Sequence, residues 1–331
     1  MANRPARVLV LGATGHIGQA VVRRALKNGD QVTAATRRAH PEGFDGLPVK
    51  IVQIDGGFRS LPELAEGHDL LVDAAAPYPL GLGVPGTRQW RCEVDAAVKR
   101  TELVIDAARR HHLRLAYVSS CTTLPRREAP QGSAAAVWRR SISPYFEAKA
   151  AMERTVIAAA REGLPAVIVN PAAFLGPWEF RAVEGSFVRL VLERRLPMVI
   201  DQPMCVIDVR DVADAIDRAL ARELFGRPIP LAGHNIGLPQ LAVLTARLAG
   251  LPSPPPLPLD GHAVSAAAFW AEAACKTFGI APPPALGFIP LIADVLPMQP
   301  SPEQMDLGIR IRPLEETLRD SLAFHRARSF A

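Results

Sequence analysis

A phenol and an ammonium stand four residues apart in Tyr145-Phe146-Glu147-Ala148-Lys149. That spacing puts both heads on one face of a helix. The lysine charge lowers the pKa of the phenol, which can then pass a proton to a carbonyl oxygen or take one from an alcohol. Tyrosine is scarce, with three in the chain, but a tyrosine and a lysine at this spacing recur by chance in many helices. A polar strand end, Ser119-Ser120-Cys121-Thr122, lies upstream, with Cys121 24 residues before Tyr145.

A second constellation sits near the N-terminus. Arg7–Leu11 is a continuous apolar strand signal that runs into Gly12-Ala13-Thr14-Gly15-His16-Ile17-Gly18. Gly12 and Gly15 allow a tight turn and close approach of backbone to a pyrophosphate. Gly18 lets the following helix, Ile17–Asn28, sit near the strand, with its free N–H groups facing the phosphates. Strand, turn, helix and a second strand over Gln31–Ala35 arrive in the order that dinucleotide binding requires. The second strand ends in Thr36-Arg37-Arg38, where an acid would bond both ribose hydroxyls of NAD. Two arginines there pair with a 2′-phosphate instead, so NADP(H) is preferred and NAD(H) is the lesser alternative. Asp55 follows the third strand and is placed to bond the adenine edge. Ala74-Ala75-Ala76 offer small side chains where the cofactor passes close to backbone. His16 reads as solvent-facing or phosphate-neighbouring.

Elements must hold these residues in place. Apolar runs at Val49–Ile54, Leu70–Ala75, Leu115–Ser119 and Pro165–Asn170 alternate with helical segments at Leu61–Ala65, Cys92–His111 and Phe146–Arg161. The expected fold class is α/β, a Rossmann-type doubly wound parallel sheet with a smaller C-terminal α/β substrate lobe. The division predicted is 1–175 for the nucleotide-binding domain and 176–331 for the lobe, with strand exchange back to the first domain allowed. In the lobe, helices are expected over Ser186–Arg194, Asp211–Glu223, Leu238–Leu248, Val264–Phe278 and Leu314–Ala327. Short strands are expected over Met198–Ile200, Val206–Val209 and Pro228–Ala232. The five prolines of Leu251–Leu259 predict an extended linker. Asp211 reads as a helix cap, and Arg210 with Asp208 as a tie between lobes.

Composition narrows the function further. The formal charge is +5, but 33 of the 38 basic residues are arginines scattered along the chain, so no nucleic-acid partner is expected. Four cysteines without CxxC or Cys/His clustering predict a reduced, cytoplasmic setting, and the eight histidines show no metal-ligand spacing, so no metal is expected. No transmembrane segment is expected either: the uncharged stretch Thr277–Ala293 is short and broken by Pro282, Pro283, Pro284 and Pro290, and at most rests against a bilayer.

Taken together, GATGHIG at Gly12–Gly18, VDAAA at Val72–Ala76, YVSSC at Tyr117–Cys121, YFEAK at Tyr145–Lys149, NPAAFLGP at Asn170–Pro177, VIDVRDVADAI at Val206–Ile216 and RPLEETLRD at Arg312–Asp320 resemble the extended short-chain dehydrogenases/reductases. These form part of the NAD(P)-dependent epimerase/dehydratase superfamily, and the similarity is nearest its dihydroflavonol-reductase-like branch. The resemblance implies reduction of a small-molecule carbonyl with NADPH and a homodimer built on the YxxxK helix. It also implies cofactor contacts from Thr14, His16, Ile17, Ser119, Tyr145, Lys149, Asn170, Pro171 and Ala173.

Three departures stand out. The position that usually carries the catalytic Ser or Thr is Cys121, and a thiol is the weaker donor. The bond to substrate therefore comes from Ser120, Thr122 or Cys121. Asp73 stands where the family commonly has histidine. Arg100-Thr101 replaces a Gly-Thr pair, with Ala97 at a usual asparagine. On the substrate side, Pro77, Tyr78, Phe174, Trp178, Phe180, Met198 and Met204 are expected to line an apolar or aromatic pocket. They favour a polyketide-, terpenoid- or flavonoid-like ketone over a nucleotide sugar. The alternatives are a nucleotide-sugar epimerase or dehydratase with tightly bound cofactor, and a non-catalytic dinucleotide-sensing or protein-binding member of the fold.

Overall fold

The computed structural model describes residues 5–75, 81–125, 138, 140–180, 186–196, 199–283 and 285–329. Ala76, Pro77, Tyr78 and Met198 lie outside the described residues. Six strands follow the expected order: β1 Arg7–Leu11, β2 Gln31–Thr36, β3 Val49–Gln53, β4 Leu70–Asp73, β5 Arg114–Val118 and β6 Ala166–Pro171. All pair in parallel. Across the sheet they run 3-2-1-4-5-6, and a seventh strand, Pro228–Leu231, joins beyond β6 in parallel register.

Five of the six strands are buried almost end to end, β3 at the edge being the exception, and successive side chains point to opposite faces. Val8 and Val10 of β1 face helix α1 (His16–Lys27) and the helix Val209–Ala221 in one apolar cluster. Leu9 and Leu11 face the helices Arg88–Arg110 and Pro144–Arg161 in another. Both faces are thus covered, which is the condition for a parallel sheet. Arg24 of α1 bonds Asp214 at 3.2 Å and Asp217 at 2.7 Å, tying the first helix to the helix Val209–Ala221.

A small sheet lies outside this frame. Ala173–Leu175 pairs in parallel with Pro203–Asp208, which pairs antiparallel with His234–Gly237. Helices Leu238–Ala249 and Leu314–Ser329 help cover it in a third apolar cluster, against which Cys121 packs. Two local expectations change. The segment read as a proline-rich linker contains a strand, Pro256–Asp260, which pairs with Val199–Asp201. The helix expected from Asp211 begins at Val209, and its cap is Asp208, whose carboxylate accepts from the Arg210 N–H at 2.8 Å. The preceding strand stays extended through Asp208, so that residue takes the capping position. Asp211 is buried in the first turn, bonded to the backbone N–H of Arg312 at 2.8 Å and to its guanidinium.

Candidate active site

The glycine loop supplies the floor of the site. Gly12 has φ +72°, and a Cβ there would lie 2.6 Å from the Ala74 carbonyl oxygen. A Cβ on Gly18 would lie 2.1 Å from the Gly12 carbonyl oxygen, so this glycine lets helix and strand pack together. Gly15 differs: its backbone is ordinary (φ −76°, ψ 164°) and a Cβ would meet only the Gly12 oxygen, at 3.1 Å. Packing explains Gly12 and Gly18. Gly15 instead borders open space at the N-terminus of α1, and a pyrophosphate fits there against the free N–H groups. Thr14 and Ile17 are buried around the loop, and Ala74 and Ala75 cross beside Gly12 as β4 ends.

His16 is half-buried at the start of α1, 2.9 Å from the Pro177 carbonyl, with its ring edge-on to Phe174 at 5.7 Å. Because a carbonyl only accepts, Nε2 carries the proton. Burial holds the pKa of His16 below its ordinary value despite the nearby Glu179, so the ring stays neutral at neutral pH. At the far end of the loop, Arg37 and Arg38 are exposed, and among the described residues neither forms an ion pair. The Asp55 carboxylate accepts from the N–H groups of Gly57 at 3.0 Å and Arg59 at 2.9 Å, so it also folds its own turn.

The tyrosine and lysine lie on the helix Pro144–Arg161, both nearly fully buried. The Tyr145 hydroxyl donates to Ser120 Oγ at 3.4 Å, and Ser120 Oγ also accepts from Thr122 Oγ1 at 2.9 Å. Ser120 is therefore the member of the polar run that meets Tyr145. Cys121 instead opens a short 3-10 turn and packs on the third apolar cluster, which includes Met204. Ser119 is buried, its N–H bonded to the Val169 carbonyl at 2.8 Å. Pro171 ends β6 and Ala173 starts the next short strand.

Lys149 Nζ donates to the Val118 carbonyl at 3.4 Å. Burial drives its pKa down to about 8; Arg100 pushes the same way, while Asp73 and Glu153 oppose. Asp73 and Arg100, two separate departures in the sequence, turn out to face each other. Their bidentate ion pair has contacts of 2.8 and 2.5 Å, with the guanidinium 4.5 Å over the Phe58 ring. Register places Asp73 opposite Tyr117, one residue before the carbonyl that holds Lys149. Among the described residues the buried Tyr117 hydroxyl has no hydrogen-bond partner, and burial beside Asp73 pushes its pKa well up, so it stays a neutral phenol.

Sequence reasoning missed Glu153. Its carboxylate is buried, accepting from Thr123 Oγ1 at 2.7 Å and from the Asn170 side-chain amide. Asn170 also donates to the Ser120 carbonyl at 3.2 Å, so this cluster fixes the turn that carries Ser120. The available signal was spacing: Glu153 follows Lys149 by four, on the same helix face. The residues expected to line a substrate pocket disperse. Phe174 meets His16 and Met204 shares a cluster with Cys121. Trp178 stacks on Arg23, with the guanidinium 4.7 Å from its ring centre, and Phe180 packs on Phe324 at 4.9 Å. Among the described residues no group of three His, Cys, Asp or Glu is arranged to hold a metal.

The sequence matches the NAD-dependent epimerase/dehydratase family over residues 8–229. The chain belongs to that family. It is an NAD(P)-dependent enzyme of the extended short-chain dehydrogenase/reductase type. It is 31% identical over 270 residues to sterol demethylase protein B of Methylococcus capsulatus, covering 77% of this chain and 80% of that one. It is 27% identical over 259 residues to a protein of Synechocystis described as a dihydroflavonol 4-reductase homologue, covering 74% and 73%. The crystal structure of gox2253 superposes with a TM-score of 0.75 at 24% identity, over 98% of this chain and 99% of that one, and shares the fold.

Proposed function

We propose that this enzyme reduces an apolar ketone or aldehyde with NADPH, the substrate being an aromatic, polyketide or terpenoid compound, a class that includes sterols. One observation carries the reading: Tyr145 Oη lies 3.4 Å from Ser120 Oγ, with Lys149 one helical turn along, and the glycine loop leaves β1 at the same edge of the parallel sheet at which Ser120 follows β5. Bound NADPH supplies the hydride. Ser120 donates a hydrogen bond to the substrate oxygen, orienting the carbonyl, and Thr122 fixes the Ser120 rotamer by donating to its Oγ. Tyr145 gives its proton to that oxygen as negative charge grows there. Lys149, cationic below about pH 8, stabilises the phenolate that Tyr145 leaves behind and would bond the ribose hydroxyls of the cofactor.

The two relatives named for sterol and flavonoid chemistry support an apolar substrate. The unpaired, exposed Arg37 and Arg38 support preference for the 2′-phosphate. The four free cysteines fit a reduced cytoplasmic setting, and no described helix is long and apolar enough to cross a membrane.

Tyr145→Phe tests the assignment. It keeps the ring packing but removes the proton, so hydride transfer in stopped flow should slow by about 10²–10⁴ while NADPH still binds. The substrate is whichever aryl, terpenoid or acyl ketone the wild type turns over. Hydride transfer at the wild-type rate would move the proton source elsewhere. Arg37→Glu should weaken NADPH far more than NADH; equal wild-type affinities for the two cofactors count against NADP(H) preference. Cofactor retained through purification would favour the epimerase or dehydratase alternative.

A further inference from the structure

The loop between β2 and β3, residues 37–48, takes its shape from other parts of the chain. It opens with Arg37 and Arg38, both exposed. The Arg38 N–H donates to Thr36 Oγ1 at 3.1 Å, and the Arg37 carbonyl accepts from the Gln53 side chain at 3.4 Å. Beyond that, residues 39–43 make no hydrogen bond between backbone groups among the described residues. Side chains of α1 supply partners instead: Gln19 donates to the Glu42 carbonyl at 3.2 Å and Arg23 to the Gly43 carbonyl at 2.9 Å. From the other side, Phe180 packs so closely on Gly43, which has φ +88°, that a Cβ there would run into its ring. Arg328 of the C-terminal helix bonds the Glu42 carboxylate and lies 4.8 Å over the Phe180 ring.

Phe180 belongs to a segment that follows α1 along its length. The Pro177 carbonyl meets His16 at the glycine loop, Trp178 stacks on Arg23 two turns further along, and Phe180 reaches Gly43. Trp178 has φ +72°, a left-handed backbone that a bulky residue rarely takes, and such a conformation persists only where its surroundings fix it. They do so from both sides. The Arg23 guanidinium lies 4.7 Å from the Trp178 ring centre and 5.8 Å from that of Phe180. Burial brings the Arg23 pKa down to about 10, which leaves it a cation at neutral pH. Between the two rings, the Glu179 carboxylate accepts from Ser186 at 2.6 Å and pairs with His325 of the C-terminal helix at 3.2 Å.

We infer that Trp178 and Phe180 are positioning residues for cofactor choice, holding the loop so that Arg37 and Arg38 are ordered for the 2′-phosphate of NADPH; this rests on the NADPH preference proposed above. Fixing a flexible arginine on binding costs conformational entropy, and order present beforehand removes part of that cost. Here β2 anchors one end of the run and Phe180 with Arg23 anchors the other, at Gly43. The backbone that carries both guanidinium groups is therefore set before the cofactor arrives. NADH has no 2′-phosphate and draws nothing from that order.

Isothermal titration of the full-length protein with NADPH and with NADH tests this. Wild type should favour NADPH. Phe180→Ala should weaken NADPH by about tenfold, the order of the cost of fixing two arginine side chains, and leave NADH within about twofold. With Arg37→Glu and Arg38→Glu already present, adding Phe180→Ala should change NADPH affinity no further. Arg328→Ala removes the cation over Phe180 from an exposed position. It should keep the wild-type melting temperature and shift the NADPH-to-NADH ratio the same way, by about threefold. A ratio unchanged in Phe180→Ala, equal loss of both cofactors included, overturns the inference and leaves the NADPH preference standing. If that variant does not fold, an unchanged ratio in Arg328→Ala overturns it instead. Equal wild-type affinities for the two cofactors remove the NADPH preference itself, and the inference with it.

Discussion

At the scale of residues, the site sets Tyr145, the proposed proton donor, and Lys149 in front of a buried ion pair. Arg100 has almost no solvent to fall back on if Asp73 loses its charge. Asp73→Asn should therefore destabilise the fold by about 3–5 kcal/mol, read by denaturant unfolding. The same change removes an anion that supports the Lys149 proton, so the alkaline limb of the pH–rate profile, expected near pH 8, should move to lower pH. Adding Arg100→Met removes the stranded cation as well. That double variant should recover most of the stability and return the limb toward its wild-type position, because Arg100 and Asp73 act on Lys149 with opposite sign. A limb that does not move in Asp73→Asn would separate the ion pair from Lys149. The hydroxyl question divides in the same way: Ser120→Ala should slow hydride transfer severely, while Cys121→Ser keeps or raises it. Loss of activity in Cys121→Ser with Ser120→Ala unaffected would reverse the roles.

At the scale of elements, the glycine loop makes two different demands, and they can be told apart. Gly15 borders the open space proposed for the pyrophosphate, and a Cβ there would press on one atom alone, the Gly12 oxygen at 3.1 Å. Gly15→Val should thus unfold at nearly the wild-type temperature yet show no NADPH or NADH binding by isothermal titration. Gly18→Val drives a side chain into the Gly12 backbone, which cannot yield as a flexible side chain would. That variant should be grossly destabilised or fail to fold. Retained cofactor affinity in Gly15→Val would place the pyrophosphate elsewhere. The helix Pro144–Arg161 makes a comparable double use of its face: it carries Tyr145 and Lys149, the residues proposed for the reaction, and one turn further Glu153 anchors the turn carrying Ser120 through Thr123 and Asn170.

At the scale of the whole molecule, the chain leaves the nucleotide-binding sheet after β6 and comes back to it at Pro228–Leu231. The two parts are held by ion pairs that span long stretches of sequence. Arg210 joins Asp208 at 2.7 Å to Asp320 at 2.6 Å, and Arg312 joins the fully buried Asp211. Removing Arg312 leaves Asp211 buried without its cation, so Arg312→Ala should cost about 3 kcal/mol in denaturant unfolding. A change within about 0.5 kcal/mol, the usual range for surface substitutions, would show that the tie carries no weight. The C-terminal helix also reaches the nucleotide-binding half, where Phe324 packs on Phe180 and Phe180 fills the space that a Cβ on Gly43 would take.

The sequence alone determined the features whose parts lie close together in the chain. The glycine loop, the tyrosine and lysine one turn apart, and the alternation of apolar strands with helices are set by spacing within one or two elements. Local backbone geometry turns that spacing directly into a shared face or a turn. Tertiary structure decided whatever depends on how distant elements are brought together. Asp73 and Arg100 were legible as two oddities, and only the packing of the helix Arg88–Arg110 behind β4 makes them a pair. Among Ser120, Cys121 and Thr122, the direction of the chain as it leaves β5 turns Ser120 toward Tyr145 and Cys121 toward the third apolar cluster, which is why Ser120 is the one proposed. The proline-rich segment became a strand because Val199–Asp201 lay alongside it to pair with. Spacing along a chain fixes directions within an element, whereas contacts between elements depend on register and packing that no local window contains.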